Sequence, residues 1–371
     1  MDKVLILTEE IGGRGHYQAA QAIRKGLNWM EPDLEVEVSC GLSHFSRSLE
    51  SFIRKVYLNT LQYAPGLWGA AYSKEHEFSE AFRSSLSRIL LRKMREMLNQ
   101  YRPRVVVNTH AFCLGAMAEL KDQVEQPFYL GAAITDFDVN GFWVHPAVDF
   151  YFVAHQQVAE TLKKRFGVSE HQIYQTGIPI DPIFSEPFSD RQAFRRKVGI
   201  DVHAFSVLLM RGGVGLGPME QVIAQFLEDM PEAHLIVVTG KNKELLTQLQ
   251  SSYQHEKQVH LMGYVNGIRD WMAASDLIVT KPGGLTSSEA LATGLPILIS
   301  QPIPGQEERN SQFLIQQGVA LRQDLPQAIP REIRPLMETP SGWQDMRQRA
   351  LNLGRPQSSL DAAEIIADYV H

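Results

Sequence analysis

Cysteine is nearly absent from this chain: 371 residues contain two, Cys40 and Cys113. A disulfide-stapled scaffold needs more. Two isolated cysteines, far apart in the chain, do not make a paired-cysteine zinc framework, so a reducing compartment and no metal site are expected. Long apolar runs are missing too, and nothing approaches the ~18 residues of a membrane-spanning helix. The opening MDKVLILTEEIGG turns acidic too early for the apolar core of a signal peptide, which points to a cytoplasmic protein. Net positive charge is lacking: the formal charge is −6, which argues against general nucleic-acid binding. Glycine-rich turns occur, but none carries the Lys-Ser or Lys-Thr of a Walker A loop. The first also fails the GxGxxG spacing with a well-placed acid, so ATPase and nicotinamide readings lose their support.

What is present is the composition of a globular protein, 44% hydrophobic and 21% charged, at a length that exceeds one ordinary core and predicts two domains. Apolar strands alternate with helical segments. VLIL (4–7), LEVEVS (34–39), RVVVNTH (104–110), PFYLGAAITD (127–136) and DFYFVAH (149–155) form one series. The proline-rich segment 177–188, with Pro179, Pro182 and Pro187, reads as a linker. The rhythm then restarts with FSVLLM (205–210), HLIVVTG (234–240), VHLMGYV (259–265), LIVTK (277–281) and PILIS (296–300). Such βαβ rhythm implies an α/β protein with parallel sheets and ligands at the strand carboxyl ends, here two Rossmann-like halves with a cleft between them. The stretch 358–370 has the pattern of an amphipathic helix opened by serine and aspartate. Between Arg47 and Arg104, eleven Lys and Arg stand against five Asp and Glu, with many aromatics among them. The segment fits either a peripheral contact with an anionic membrane or a helical pair with a solvated basic face.

Four places could carry chemistry. Gly12-Gly13-Arg14-Gly15-His16 joins a strand to a helix; the helix dipole favours a neutral His16, a candidate general base. Such turns are also common in α/β proteins that bind nothing there. Asp136 ends the strand 127–136, where it could bind an acceptor hydroxyl, act as a base, or simply cap a turn. Arg211-Gly212-Gly213-Val214-Gly215-Leu216-Gly217-Pro218 is a loop suited to a diphosphate. The most specific is Lys281-Pro282-Gly283-Gly284-Leu285-Thr286-Ser287-Ser288-Glu289. There a helix opens on glycines and hydroxyls, and Glu289 lies about a turn inside, where its carboxylate can accept from vicinal ribose hydroxyls. Soon after it, Pro302 to Asn310 carries amide and carboxylate groups suited to sugar hydroxyls.

With those residues in hand, the sequence resembles the monogalactosyldiacylglycerol synthase and processive diacylglycerol glucosyltransferase family, relatives of the peptidoglycan enzyme that adds N-acetylglucosamine to lipid I. The resemblance runs through GRGHYQAAQAI (13–23), TDFDVNGFWVHPAVD (135–149), TGIPIDPIF (176–184), LLMRGGVGLGP (208–218), GYV (263–265), TKPGGLTSSEALATGLPILI (280–299) and PGQEERN (304–310). It implies a GT-B architecture: an acceptor domain at 1–180, onto which the helix of 355–371 crosses back, facing a UDP-sugar domain at 185–354. It implies an inverting transfer of a hexose from a UDP-sugar to a lipid-type hydroxyl, diacylglycerol or similar, giving a β-glycolipid at the inner face of the cell membrane. No metal or other cofactor is implied. Carried over by position, Glu289 holds the ribose and Tyr264 lies near the base. Gly212, Gly213, Gly283, Gly284 and Thr286 surround the diphosphate, and Gln306 and Glu307 meet the donor sugar. His16 and Asp136 are the catalytic candidates, with Gly15, Asn140 and His145 on the acceptor side. The first turn departs from the family in length and in carrying Glu9 and Glu10, and Asn140 stands where several relatives have histidine. A UDP-sugar 2-epimerase of the same architecture, and a non-catalytic UDP-sugar or lipid-surface binding protein, are the rival expectations.

Overall fold

β1 (Lys3–Thr8) buries five residues in succession after Lys3, the mark of a strand covered on both faces. The computed structural model, which describes residues 2–10, 14–40, 91–124, 126–188, 190–212, 215 and 217–371, shows why. β1 lies inside a six-stranded parallel sheet with β2 (Glu35–Cys40), β3 (Val105–Asn108), β4 (Tyr129–Ala133), β5 (Phe150–Phe152) and β6 (Ile173–Tyr174), in the order β2-β1-β3-β4-β5-β6. The crossover helices include α1 (Gly15–Met30), α2 (Ala111–Leu120) and α3 (Gln156–Phe166). Gly131 is a glycine because the Phe150 ring lies where its Cβ would be, at 2.1 Å.

A second parallel sheet joins β7 (Ser206–Met210), β8 (His234–Val238), β9 (Val259–Met262), β10 (Leu277–Thr280), β11 (Ile297–Ile299) and β12 (Ala320–Arg322), in the order β12-β11-β10-β7-β8-β9. Its helices are α4 (Arg191–Val198), α5 (Met219–Asp229), α6 (Lys243–Tyr253), α7 (Ile268–Ala274), α8 (Gly284–Ala292), α9 (Gln306–Gln316), α10 (Ile329–Glu338) and α11 (Pro340–Leu353). At the amino ends of the strands, buried Arg195 donates to Asp276 (2.7 Å), which also accepts from Arg191 (2.5 Å), the Ser206 N–H (2.9 Å) and the Ser206 hydroxyl (3.1 Å). A charge this deep persists only when paired in this way.

The chain ends in α12 (Ser358–Val370), which packs on α1. A Cβ on Gly26 would lie 2.5 Å from the Ser359 carbonyl, so the two helices meet at backbone distance. Ala362, Ala363, Ile366 and Val370 share one core with Val4, Ile6, Ile23 and Leu27. The chain therefore divides into an amino-terminal unit, Met1–Pro182 with Pro304–Gln306 and Gln357–His371, and a carboxyl-terminal unit, Ile183–Ile303 with Glu307–Pro356. Among the described residues no helix is long and apolar enough to cross a membrane, and no group of three or more metal-ligating side chains occurs.

Each sheet reverses its strand order once, between β1 and β3 and between β7 and β10. At such a switch point the crossovers leave in opposite directions and open a crevice at the carboxyl ends of the two strands. That rule selects four loops, those after β1, β3, β7 and β10.

Candidate active site

In the amino-terminal unit the loops after β1 and β3 bring His16 against the residues that follow Asn108. Thr109 is bonded to His16 twice: its hydroxyl donates to the His16 carbonyl at 2.9 Å, and its own carbonyl lies 3.0 Å from His16 Nδ1. A carbonyl can only accept, so Nδ1 carries the proton, with the Thr135 hydroxyl oxygen beside it at 2.7 Å. The lone pair of the neutral ring is therefore on Nε2. Burial lowers the His16 pKa, against the opposing pull of Asp136 and of the Thr109 carbonyl. A neutral imidazole with a fixed tautomer is what a general base requires.

Two further groups complete this corner. His110 caps α2, its Nδ1 accepting from the Phe112 N–H at 3.2 Å, and its ring meets that of His16 edge-on at 4.7 Å. Burial, with His16 close by, holds its pKa well below the ordinary range. Glu9, only 1% exposed, accepts from the Cys113 thiol at 3.4 Å, and burial together with that carboxylate drives the Cys113 pKa well up. Such a thiol is poorly reactive. Thr109 and His110 were not singled out as site residues from sequence. Their signal was polar residues ending the buried strand VVVN, at the edge where ligands gather.

Asp136 is buried at the end of the segment leaving β4, and the Gln306 amide, which groups with this unit, donates to it at 2.6 Å. Gly15 opens α1. Asn140 and His145, expected on the acceptor side, make local turn bonds. Asn140 accepts from the Phe142 N–H at 3.1 Å and His145 Nδ1 from the Ala147 N–H at 3.2 Å. Gly12, Gly13, Gly213 and most of 47–104 lie outside the described residues.

The carboxyl-terminal unit builds its corner from backbone. Gly212 takes φ +73° with open space where a Cβ would be, and Gly215 takes φ +59° with the Thr239 carbonyl 2.3 Å from its missing Cβ. After β10, Gly283 precedes α8, whose amino end has no side-chain cap. The free N–H groups of its first turn, Gly284 to Thr286, point out of the helix with the positive end of the dipole behind them. Glu289 is half-buried about a turn further on, and Tyr264 stands 52% exposed after β9.

Two bonds tie the segment after β10 to that after β11. Lys281 pairs with Glu307 (3.1 Å), and the Asn310 amide donates to the Pro282 carbonyl (3.1 Å). The second Glu307 oxygen accepts from the Ile303 N–H at 2.7 Å. The structure thus joins the two motifs that the sequence placed about eleven residues apart, and gives Glu307 a loop-holding bond that sequence alone did not show.

With this geometry in view, comparison with known proteins is informative. Residues 16–180 match the monogalactosyldiacylglycerol (MGDG) synthase family, and residues 219–353 match glycosyl transferases group 1. The processive diacylglycerol beta-glucosyltransferase of Bacillus cereus is 31% identical over 332 residues, covering 86% of this chain and 81% of that protein. The one from Staphylococcus saprophyticus is 27% identical over 349 residues, covering 93% and 87%. Among solved structures, Acinetobacter baumannii MurG superposes with a TM-score of 0.62 at 11% identity, covering 99% of this chain and 100% of that one. UDP-GlcNAc 2-epimerase from Neisseria meningitidis, bound to UDP-GlcNAc, gives 0.61 at 13% identity, covering 99% of each. Identities this low speak for the fold alone, which is the expected pair of Rossmann-like units of GT-B type.

Proposed function

We propose that this chain, which belongs to the monogalactosyldiacylglycerol synthase and processive diacylglycerol glucosyltransferase family, transfers a hexose from a UDP-sugar to the hydroxyl of diacylglycerol or a similar lipid, with inversion to a β-glycolipid. The fold is shared with a 2-epimerase, so architecture does not choose between the two. Sequence kinship over 86% of the chain does.

The observation that carries the chemistry is the Nδ1 contact of His16 with the Thr109 carbonyl. His16 Nε2 takes the proton of the acceptor hydroxyl as its oxygen attacks the anomeric carbon. The bond from that carbon to the diphosphate breaks on the opposite side, and its electron pair leaves with UDP. Asp136, whose charge acts on His16, stabilises the imidazolium that forms. The uncapped first turn of α8 and the Gly212 loop receive the leaving diphosphate, Glu289 the ribose, Tyr264 the base, and Gln306 and Glu307 the sugar. Backbone donors supply the leaving-group stabilisation, so no metal is assigned a step. We place the protein in the cytoplasm, with the basic 47–104 segment meeting an anionic membrane surface.

The test is incubation with labelled UDP-glucose or UDP-galactose and diacylglycerol in mixed micelles, with mass and NMR analysis of the lipid. A β-hexosyl lipid supports the assignment. Conversion of the donor alone into its C2 epimer overturns it in favour of the epimerase, and UDP binding without any product in favour of a binding protein.

A further inference from the structure

Arg211 leaves the end of β7 at the mouth of the glycine loop, yet its side chain turns inward and the residue is only 3% exposed. Gly217 lets it pass: a Cβ there would lie 2.4 Å from Arg211 Nε. The buried fork ends on another loop. Nη1 donates to the Ser300 carbonyl at 3.3 Å, and Nη2 to the side-chain oxygen of Gln301 at 3.2 Å.

Gln301 has φ +50°, a left-handed backbone that a residue with a Cβ adopts only under strain. It is held there from two sides. Asp324 accepts from the Gln301 N–H at 2.8 Å, and the Gln301 amide donates to the Asp324 carbonyl at 3.1 Å. Arg211 supplies the other side. The corner at Gln301 sets the direction in which the chain leaves β11, towards Ile303 and Glu307. Burial lowers the Arg211 pKa while the Glu307 and Asp324 carboxylates oppose that fall.

We infer that Arg211 is a positioning residue for the donor sugar: it clamps the strained Gln301 corner to the glycine loop and so fixes where Glu307 stands. This rests on the UDP-sugar reading of the carboxyl-terminal unit. Arg211 acts through Gln301 and does not itself hold the nucleotide, which falls to Glu289, α8 and the backbone of the Gly212 loop. Losing it therefore separates two quantities that ordinary damage to the site would lower together.

The experiment measures UDP affinity by calorimetry and kcat/KM for the transferred UDP-hexose, in the unaltered protein and in Arg211→Met. Expected is a fall of ~10-fold or more in kcat/KM, the scale of one charge-assisted hydrogen bond, with UDP affinity within ~3-fold. Arg211→Lys, a point charge without the fork, does not restore transfer fully. A parallel loss of UDP affinity overturns the inference and makes Arg211 a diphosphate ligand or a prop of the fold; unchanged kcat/KM removes it from both roles. Should Arg211→Met fail to fold, Gln301→Gly carries the test. Glycine takes the same φ without strain and removes the acceptor, so it lowers kcat/KM with UDP affinity kept if the clamp matters, and leaves both unchanged if it does not. Failure of the unaltered protein to bind UDP overturns the nucleotide reading itself, which is distinct from a clamp that proves idle.

Discussion

The two switch-point corners solve different problems with the same topology. The one after β1 and β3 is built from polar and titratable side chains, His16, His110, Glu9 and Asp136, and burial lowers the pKa of both histidines. The one after β7 and β10 is built from glycines and an uncapped helix end, with Lys281 and Glu307 binding its loops together. A fixed positive potential from backbone N–H groups suits a diphosphate and does not titrate, whereas a base must exchange a proton in each turnover. The contrast teaches that a common sheet order fixes where a ligand goes, while the residues after each strand decide what is done to it.

The largest effect that could break this contrast is on His16. His16→Ala should lower turnover by ~10²–10⁴-fold, the usual worth of a general base, with UDP affinity by calorimetry within ~3-fold. Unchanged turnover would remove the histidine from the mechanism. Glu289→Ala should act the other way, weakening UDP binding by ~10–100-fold, as expected for lost hydrogen bonds to a charged group. An unaltered calorimetric Kd would sink the ribose assignment.

Gly215→Ala sharpens the comparison through backbone. Its Cβ would meet the Thr239 carbonyl at 2.3 Å at a positive φ, so a stability loss of ~1–3 kcal/mol by chemical denaturation is expected, with weaker UDP binding. A variant as stable as the parent would show that the loop has room to shift. The smallest effect concerns pH. If His16 is the base proposed above, its neutral form is the active one, and since burial lowers its pKa from the ordinary 6.5, kcat/KM should be flat at neutral pH and fall on acidification only below that value. An acid limb above 6.5 would contradict the buried, carbonyl-bound ring. Thr135→Val removes a neighbour of Nδ1 and should cost ~3–10-fold in kcat, the scale of one ordinary hydrogen bond.

Much of the fold was legible because parallel strands buried on both faces read as unbroken apolar runs, as VLIL and SVLLM do. β6 and β12 were not. They have two and three residues, lie at the sheet edges, and are paired on one side only, so neither needs an apolar run. The donor motifs stood out because glycines and hydroxyls before a helix form a local pattern. The partners of His16 did not: Thr109 and Thr135 lie 93 and 119 residues away, and one of the contacts is a backbone carbonyl that any residue would supply.

By itself the sequence determined that this protein has two α/β halves, and it marked the strand-end residues whose chemistry suits a nucleotide or a hydroxyl. These follow from local chemistry: apolar periodicity, permissive glycines and helix ends with unsatisfied N–H groups. Only the tertiary structure decided which nitrogen of His16 carries its proton, that Glu307 answers to Lys281, and that a buried Arg211 holds the strained Gln301 corner. Tautomer, ion pairing and strain depend on atoms that folding brings within ~3 Å, across sequence separations that no local pattern encodes.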